Sequence, residues 1–223
     1  MKKQFRFIKK LFFPHGRISY SQESEDIILL ELAELHNKKN GFYVDVGAHH
    51  PLRLSNTAIF YQKGWRGINI DANPGCMKIF SKLRNEDINI ECAVSNELGE
   101  KIFYRYTEPA LNGLDNDRSS ELKDSSFRLL DKIPVPTKPL SNILDEHIHD
   151  LKKPNFLSID AEGHDYEVLK SNNWDKYKFD WIIVECSFSD NESLNKSETY
   201  LFLKSKGYTL RAFTGRSCLF QKK

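Results

Sequence analysis

GFYVDVGAHHP, residues 41–51, is the stretch from which the fold is read. Residues 42–46 are a short run of aromatic and β-branched side chains, the composition of a buried strand. The run ends on Gly47 and Ala48, small enough to let another backbone or a ligand come close. A helical pattern begins near Ser55. Strand, small-residue turn, helix is the unit that opens nucleotide-binding α/β folds, in which ligands lie at the carboxyl ends of the strands. Asp45 stands one residue from the strand end, within reach of that crevice, and Ala48 and His49 continue the turn. Only one glycine of the dinucleotide fingerprint G-x-G-x-x-G is present, so a nucleoside without phosphates fits better than a pyrophosphate.

The rest of the composition sets bounds. A chain of 223 residues with 39% hydrophobic and 29% charged residues is one globular domain with a small appendage at most. A net charge of +2 gives no large basic field, which counts against a nucleic-acid binder. Cys76, Cys92, Cys186 and Cys218 lack C-x-x-C spacing and read as buried free thiols of a reducing cytosol. No apolar run approaches the ~20 residues that span a bilayer, and Pro14 interrupts the early apolar run where a secretory signal would continue.

Residues 1–13, MKKQFRFIKKLFF, interleave lysines with apolar side chains. Two readings stay open: an interfacial anchor on the inner face of a membrane, or a terminal segment that packs on its own domain or a sister chain. The second is preferred. A helix is expected over residues 24–37, with Ser24 as N-cap and Ile27, Ile28, Leu30, Leu32 and Leu35 as its buried stripe. Residues 1–40 therefore read as a basic segment and a helix packing on a core domain of residues 41–223. Strands are expected over residues 42–47, 67–71, 88–94, 155–160 and 180–185, and helices over 56–63, 75–83, 141–149, 165–172 and 192–206. Residues 208–213 and 217–221 read as a terminal β-hairpin. Alternating strands and helices imply a largely parallel sheet covered on both faces. Residues 107–132 are polar and without periodicity, and a loop of that length in a compact domain is usually functional or disordered.

Several motifs fall at the carboxyl edge of that sheet. Asp71 ends the second strand 24 residues after Gly47, near the spacing at which an acidic residue meets a ribose diol. Ala72 follows it, and Cys92 and Ala93 end the third strand, where small side chains admit a flat ring. Ser55 and Asn56 start the first helix at the same edge. The densest cluster is SIDAEGHD, residues 158–165, on the turn after the fourth parallel strand. Asp160, Glu162 and His164 there supply a general base or divalent-metal ligands; helix capping alone needs fewer such groups. Glu185 ends the next strand and points into the same crevice. His49 and His50 are adjacent, which does not suit one metal ion.

Taken together, SQESEDIIL (21–29), FYVDVGAHHP, GWRGINIDANP, AVSNELGE, FLSIDAEGHDYEVL (156–169) and WIIVE (181–185) resemble the FkbM family of S-adenosylmethionine-dependent methyltransferases. The resemblance covers most of the chain. It implies an α/β, Rossmann-like, seven-stranded class I methyltransferase fold, mostly parallel, with the C-terminal hairpin supplying the antiparallel strand. It also implies S-adenosylmethionine as cofactor, held by Gln22, Asp45, Gly47, Ala48, His49, Ser55, Asn56, Asp71, Ala72, Cys92 and Ala93. The implied reaction is methylation of an oxygen, commonly a hydroxyl of a sugar or nucleotide-activated sugar in surface-polysaccharide or other glycan biosynthesis. His49 and Pro51 stand where the family often has Asn and Gly.

The loop over residues 107–132, with Tyr104 and Tyr106 before it, is the expected acceptor site. Two catalytic arrangements are open. In one, Asp160 or His164 takes the acceptor proton; in the other, Asp160 and Glu185 hold Mg²⁺ or Mn²⁺ with help from Glu162 or His164. The metal-free version is preferred for want of a diagnostic ligand spacing. An RNA or protein methyltransferase, and a non-catalytic nucleoside-binding subunit of a glycan assembly, are the alternatives. Whether the chain forms a homo-oligomer is open.

Overall fold

The computed structural model describes residues 16–114, 125–148, 153–186, 188 and 190–223. The basic start over residues 1–13 and the middle of the 107–132 loop lie outside them. Helix α1 (Glu25–Leu32) precedes strand β1 (Phe42–Val46), which leads through α2 (Ala58–Gln62), β2 (Arg66–Asp71) and α3 (Met77–Leu83) to β3 (Ile88–Glu91). An excursion follows through β4 (Ala93–Val94), β5 (Gly99–Tyr106), β6 (Leu129–Lys138) and α4 (Leu140–His147). The chain then returns as β7 (Phe156–Ile159), α5 (Asp165–Lys170) and β8 (Trp181–Glu185). It closes with α6 (Asn191–Lys196), α7 (Glu198–Ser205), β9 (Tyr208–Phe213) and β10 (Ser217–Lys222).

The main sheet has seven strands in the order β3-β2-β1-β7-β8-β10-β9. The first five are parallel, and β10 runs antiparallel to both its neighbours. This is the Rossmann-like, seven-stranded class I methyltransferase fold that the motifs imply, with the terminal hairpin supplying the antiparallel strand.

Alternation along the strands builds two cores. Val44, Val46, Ile68, Ile70, Leu157 and Ile159 face α4 and α5 through Leu140, Ile143, Leu144, Val168 and Leu169. Tyr43, Phe156, Trp181 and Ile183 face the other way, against Leu29 and Leu30 of α1 and Phe60 of α2. A parallel sheet needs both faces covered, and the N-terminal helix helps to cover the second. Because β2 and β3 lie on one side of β1 and β7 on the other, the connections diverge there and leave a crevice at the carboxyl ends. No helix of the described residues is long and apolar enough to cross a membrane.

Four expectations are corrected. Ser24 is not a side-chain cap: it sits at φ 69° and makes no capping bond, and α1 stops at Leu32, with a separate 3₁₀ turn over Leu35–Asn37. Residues 88–94 are not one strand. The chain leaves the main sheet at Cys92, and Ala93 and Val94 pair with Thr137 and Lys138 in a second, three-stranded sheet. The strand-like run INIECAV, with no turn residue inside it, hides this change of partner. The 107–132 segment is not all loop, because β6 begins at Leu129 and pairs antiparallel with β5. Pro134 and Pro136 disguise it. They stand at alternate positions, so their missing N–H groups share one side, and β6 meets β4 only at Thr137 and Lys138. Lastly, the helix expected over 192–206 breaks at Ser197, whose Oγ accepts from Tyr200 N (3.3 Å) and starts α7 afresh.

Candidate active site

A cavity of about 370 Å³ opens at the carboxyl edge of the sheet. Asp45, Gly47, Ala48, His49, Asn56, Asp71, Ala72, Cys92, Ala93 and Gln22 all line it, as do Asp160, Glu162, His164 and Glu185. Residues gathered from seven separate stretches of sequence thus line one cavity.

The turn after β1 is built around Gly47. Its φ is 77°, and a Cβ there would lie 1.7 Å from the carbonyl oxygen of Asp160, so only glycine fits. Gly47 N and Ala48 N both donate to the Ile70 carbonyl (2.9 and 3.1 Å), and Asp160 N donates to Val46 O (2.9 Å). The ends of β1, β2 and β7 are thereby locked together. Asp71 accepts from His49 N through one oxygen and from Asn73 N through the other, each at 2.7 Å. A carboxylate keeps further lone pairs after those bonds, and Asp71 still faces the cavity. Asp45 is buried and accepts from Thr57 Oγ1 at 2.6 Å. Burial pushes the carboxyls of Asp45 and Asp71 upward; hydrogen bonds from Thr57, and from the backbone of Asn73 and His49, oppose the shift.

Burial likewise pushes the Cys92 thiol up to about 11, so it stays neutral and presents a small, weakly polar surface. The two histidines divide. His49 lines the cavity and shares a hydrogen bond between its Nε2 and Arg53 Nη1 (2.9 Å). His50 turns its Nδ1 back to accept from Leu52 N and Arg53 N (3.1 and 3.0 Å). Asn56 donates to Ser158 Oγ at 3.1 Å.

Ser55 is a correction. It is fully buried and does not line the cavity; its Oγ accepts from Ala58 N (3.2 Å) and from Arg84 Nη2 (2.8 Å), so it holds the start of α2 from beneath. Tyr104 and Tyr106 are corrected too. Both are buried away from the cavity, and Phe103 lines it instead, because alternation along β5 sends its neighbours to the other face.

The opposite end is acidic. Asp165 turns back to brace the preceding turn, accepting from Ala161 N at 3.0 Å, and the start of α5 has no side-chain cap. That leaves Asp160, Glu162 and Glu185 to the cavity, each with one carboxylate oxygen inside a common span of 4.8 Å. Burial drives the Asp160 carboxyl well above its ordinary range, and the charges of Glu185, Glu162, Asp165 and Asp45 add to the shift. Glu162 sits at φ 52°, a left-handed conformation uncommon outside glycine. His164 Nε2 is enclosed without a hydrogen-bond partner.

The rim joins the start of the expected 107–132 segment to Arg216, which sequence reasoning missed. A 3₁₀ turn over Pro109–Leu111 folds residues 109–114 onto the cavity, fixed by Tyr104 N to Gly113 O (2.8 Å) and by Tyr106 N to Asn112 Oδ1 (2.7 Å). Arg216, in the turn between β9 and β10, lines the other side, and its N donates to Glu23 Oε2 at 3.0 Å. Arg216 has no local pattern, and only the turn residue Gly215 marks its place.

The chain matches the Methyltransferase FkbM domain over residues 45–210. No curated protein matches it. Among solved structures, it is similar to a Methyltransferase FkbM from Methylobacillus flagellatus KT, with 14% identity and a TM-score of 0.49. That match covers 96% of this chain and 47% of the other, so this chain spans about half its length. It is also similar to a precorrin-6y C5,15-methyltransferase from Geobacter metallireducens GS-15, at 13% identity and TM-score 0.46, covering 93% of each chain. A TehB-like SAM-dependent methyltransferase from Corynebacterium glutamicum ATCC 13032 Kitasato follows, at 8% identity and TM-score 0.39, covering 100% of this chain and 97% of the other.

Proposed function

The chain belongs to the FkbM methyltransferase family, and from that premise we propose that it transfers the methyl group of S-adenosylmethionine to a hydroxyl of a sugar or nucleotide-activated sugar in glycan biosynthesis. The observation that carries this is the two-ended cavity. Gly47, Asp71 and the small Cys92–Ala93 wall offer a nucleoside a ribose acceptor and a slot for its base, while Asp160, Glu162 and Glu185 face the opposite end. The polar turn over residues 109–114 and the Phe103 ring suit a hydroxyl-rich acceptor between them.

The sulfonium methyl is already activated, so the protein's task is to hold a hydroxyl in line with it. Near-attack positioning of two bound reactants supplies roughly 7–11 kcal/mol of a barrier. With S-adenosylmethionine bound as the methyl donor, Asp160 would take the proton of the acceptor hydroxyl and so keep its oxygen nucleophilic. A carboxyl whose proton affinity is raised by its neighbours is a better base than an ordinary one.

A second reading has its own observation. Three carboxylate oxygens within 4.8 Å of one another would give Mg²⁺ or Mn²⁺ three hard ligands, and the ion would lower the pKa of the acceptor hydroxyl. Labelled S-adenosylmethionine incubated with free glycans, nucleotide sugars, RNA and protein tests the acceptor class. Transfer to RNA or protein alone would overturn the sugar reading, and transfer to none would favour a nucleoside-binding subunit. Activity that survives exhaustive chelation would exclude the metal; loss restored by one added ion would establish it. The site of action proposed is the cytoplasm, and vesicle sedimentation of the full and truncated chains decides whether residues 1–13 touch a membrane or, as preferred, pack on their own domain or a sister chain.

A further inference from the structure

Arg84, at the C-terminal end of α3, is 1% exposed. Its guanidinium lies between the rings of Tyr61 and Phe80, with Cζ 5.7 and 5.5 Å from their centroids. It donates to Pro51 O (2.6 Å), Ser55 Oγ (2.8 Å), Thr57 Oγ1 (2.7 Å) and Asn69 Oδ1 (3.2 Å). None of these is a carboxylate. A buried guanidinium without a directly bonded counter-charge is a weak way to stabilise a fold, so its partners are the informative part.

Three of the four lie on the loop over residues 51–57, which runs from the β1 turn to α2. That loop carries Leu54, at φ 53°, and Asn56 onto the cavity wall. The third partner, Thr57, has one hydroxyl proton and gives it to Asp45 (2.6 Å) while accepting from Arg84. Arg84, Thr57 and Asp45 therefore form a directional chain from a buried cation to a carboxylate on the cavity wall.

We propose that Arg84 is a positioning residue for the cofactor, acting through Thr57 on the Asp45 carboxylate and on the loop that carries Asn56. The inference rests on reading the cavity as the S-adenosylmethionine site. Positive charge enters the chain at Arg84, and orientation comes through a hydroxyl that accepts on one side and donates on the other. A threonine here is not replaceable by its isostere valine, although the pocket around it is fully packed.

Titration calorimetry of the full chain with S-adenosylhomocysteine tests this on Thr57→Val, Thr57→Ser, Arg84→Met and the Arg84→Met/Thr57→Val double variant. Thr57→Val should bind at least about tenfold more weakly, the loss expected for a hydrogen bond to a charged group, and its unfolding midpoint should fall as well, because Asp45 and Arg84 each lose a buried partner. Thr57→Ser should restore most of that affinity. The double variant should bind no more weakly than Arg84→Met alone, since both changes cut one chain. Wild-type affinity in Thr57→Val, or losses that multiply in the double variant, would overturn the inference. Should Arg84→Met fail to fold, the valine and serine variants decide between them. A wild type that binds no S-adenosylhomocysteine would overturn the cofactor reading as well, whereas binding unchanged by Thr57→Val overturns this inference alone.

Discussion

At the β1–β3 end of the cavity the acidic groups are tied down, whereas at the β7–β8 end they face one another. Asp71 receives two backbone N–H bonds and Asp45 a threonine hydroxyl. Asp160 instead feels the charges of Glu185, Glu162, Asp165 and Asp45. The first arrangement suits a ligand that is bound the same way in every cycle, because tied groups cost little to organise. The second stores unfavourable charge that an approaching proton or cation relieves.

The sharpest way to break this contrast is Asp160→Asn. Turnover should fall by about 10²–10⁴-fold while S-adenosylhomocysteine affinity stays within about twofold of wild type. Near wild-type turnover would place the chemistry elsewhere. Asp71→Ala should do the reverse. Calorimetry should show cofactor affinity reduced by about 10–100-fold, with turnover at saturating cofactor nearly unchanged. If both variants lose both properties together, the division of the cavity into two ends collapses.

A third test sharpens the contrast through pH. The Asp160 carboxyl titrates above its ordinary range in the folded chain, so the folded state holds that proton more tightly than the unfolded chain does. The stability this gives is present below the unfolded-state pKa and is lost as pH rises through the folded-state value. Asp160→Asn escapes that loss, so its unfolding midpoint should exceed that of wild type at neutral pH, by about 2–4 °C per kcal/mol relieved. The gap should close as pH falls toward the ordinary carboxylate range. Wild-type turnover should decline over the same upward-shifted window as the base becomes protonated. A midpoint for Asp160→Asn below that of wild type at neutral pH would contradict the charge crowding.

The smallest effect belongs to the rim. Arg53 bridges His49 and Glu108 (2.9 and 3.1 Å), and it is half exposed. Arg53→Ala should change KM for either substrate by less than about fivefold, the range of an exposed pair. A larger loss measured in steady-state kinetics would mean that Arg53 touches a ligand directly.

Much of the cavity was legible because its residues sit at strand ends. Gly47, Asp71 and Asp160 each close an apolar run and Asp45 stands one residue before such a close, and the end of a parallel strand is where α/β folds bind ligands. Ser55 was misread because its position beside Asn56 says nothing about which of the two faces inward. Tyr104 and Tyr106 were misread for a similar reason: which of the alternating faces of β5 meets the cavity depends on its pairing with β6, and Pro134 and Pro136 disguised that partner. The break at Ser197 was hidden because the residues around it have acceptable helix propensity.

The sequence by itself determined the succession of βα units, the glycine turn after β1, the acidic strand ends and the terminal hairpin. These depend on residues within one or two turns of each other, where period, side-chain size and backbone freedom act directly. The tertiary structure alone decided that Ala93 and Val94 change sheets, that Arg216 joins the rim of the cavity, and that Arg84 reaches Asp45 through Thr57. Those contacts join residues far apart in the chain. Their partners follow from the order in which the strands assemble, and no local pattern encodes that order.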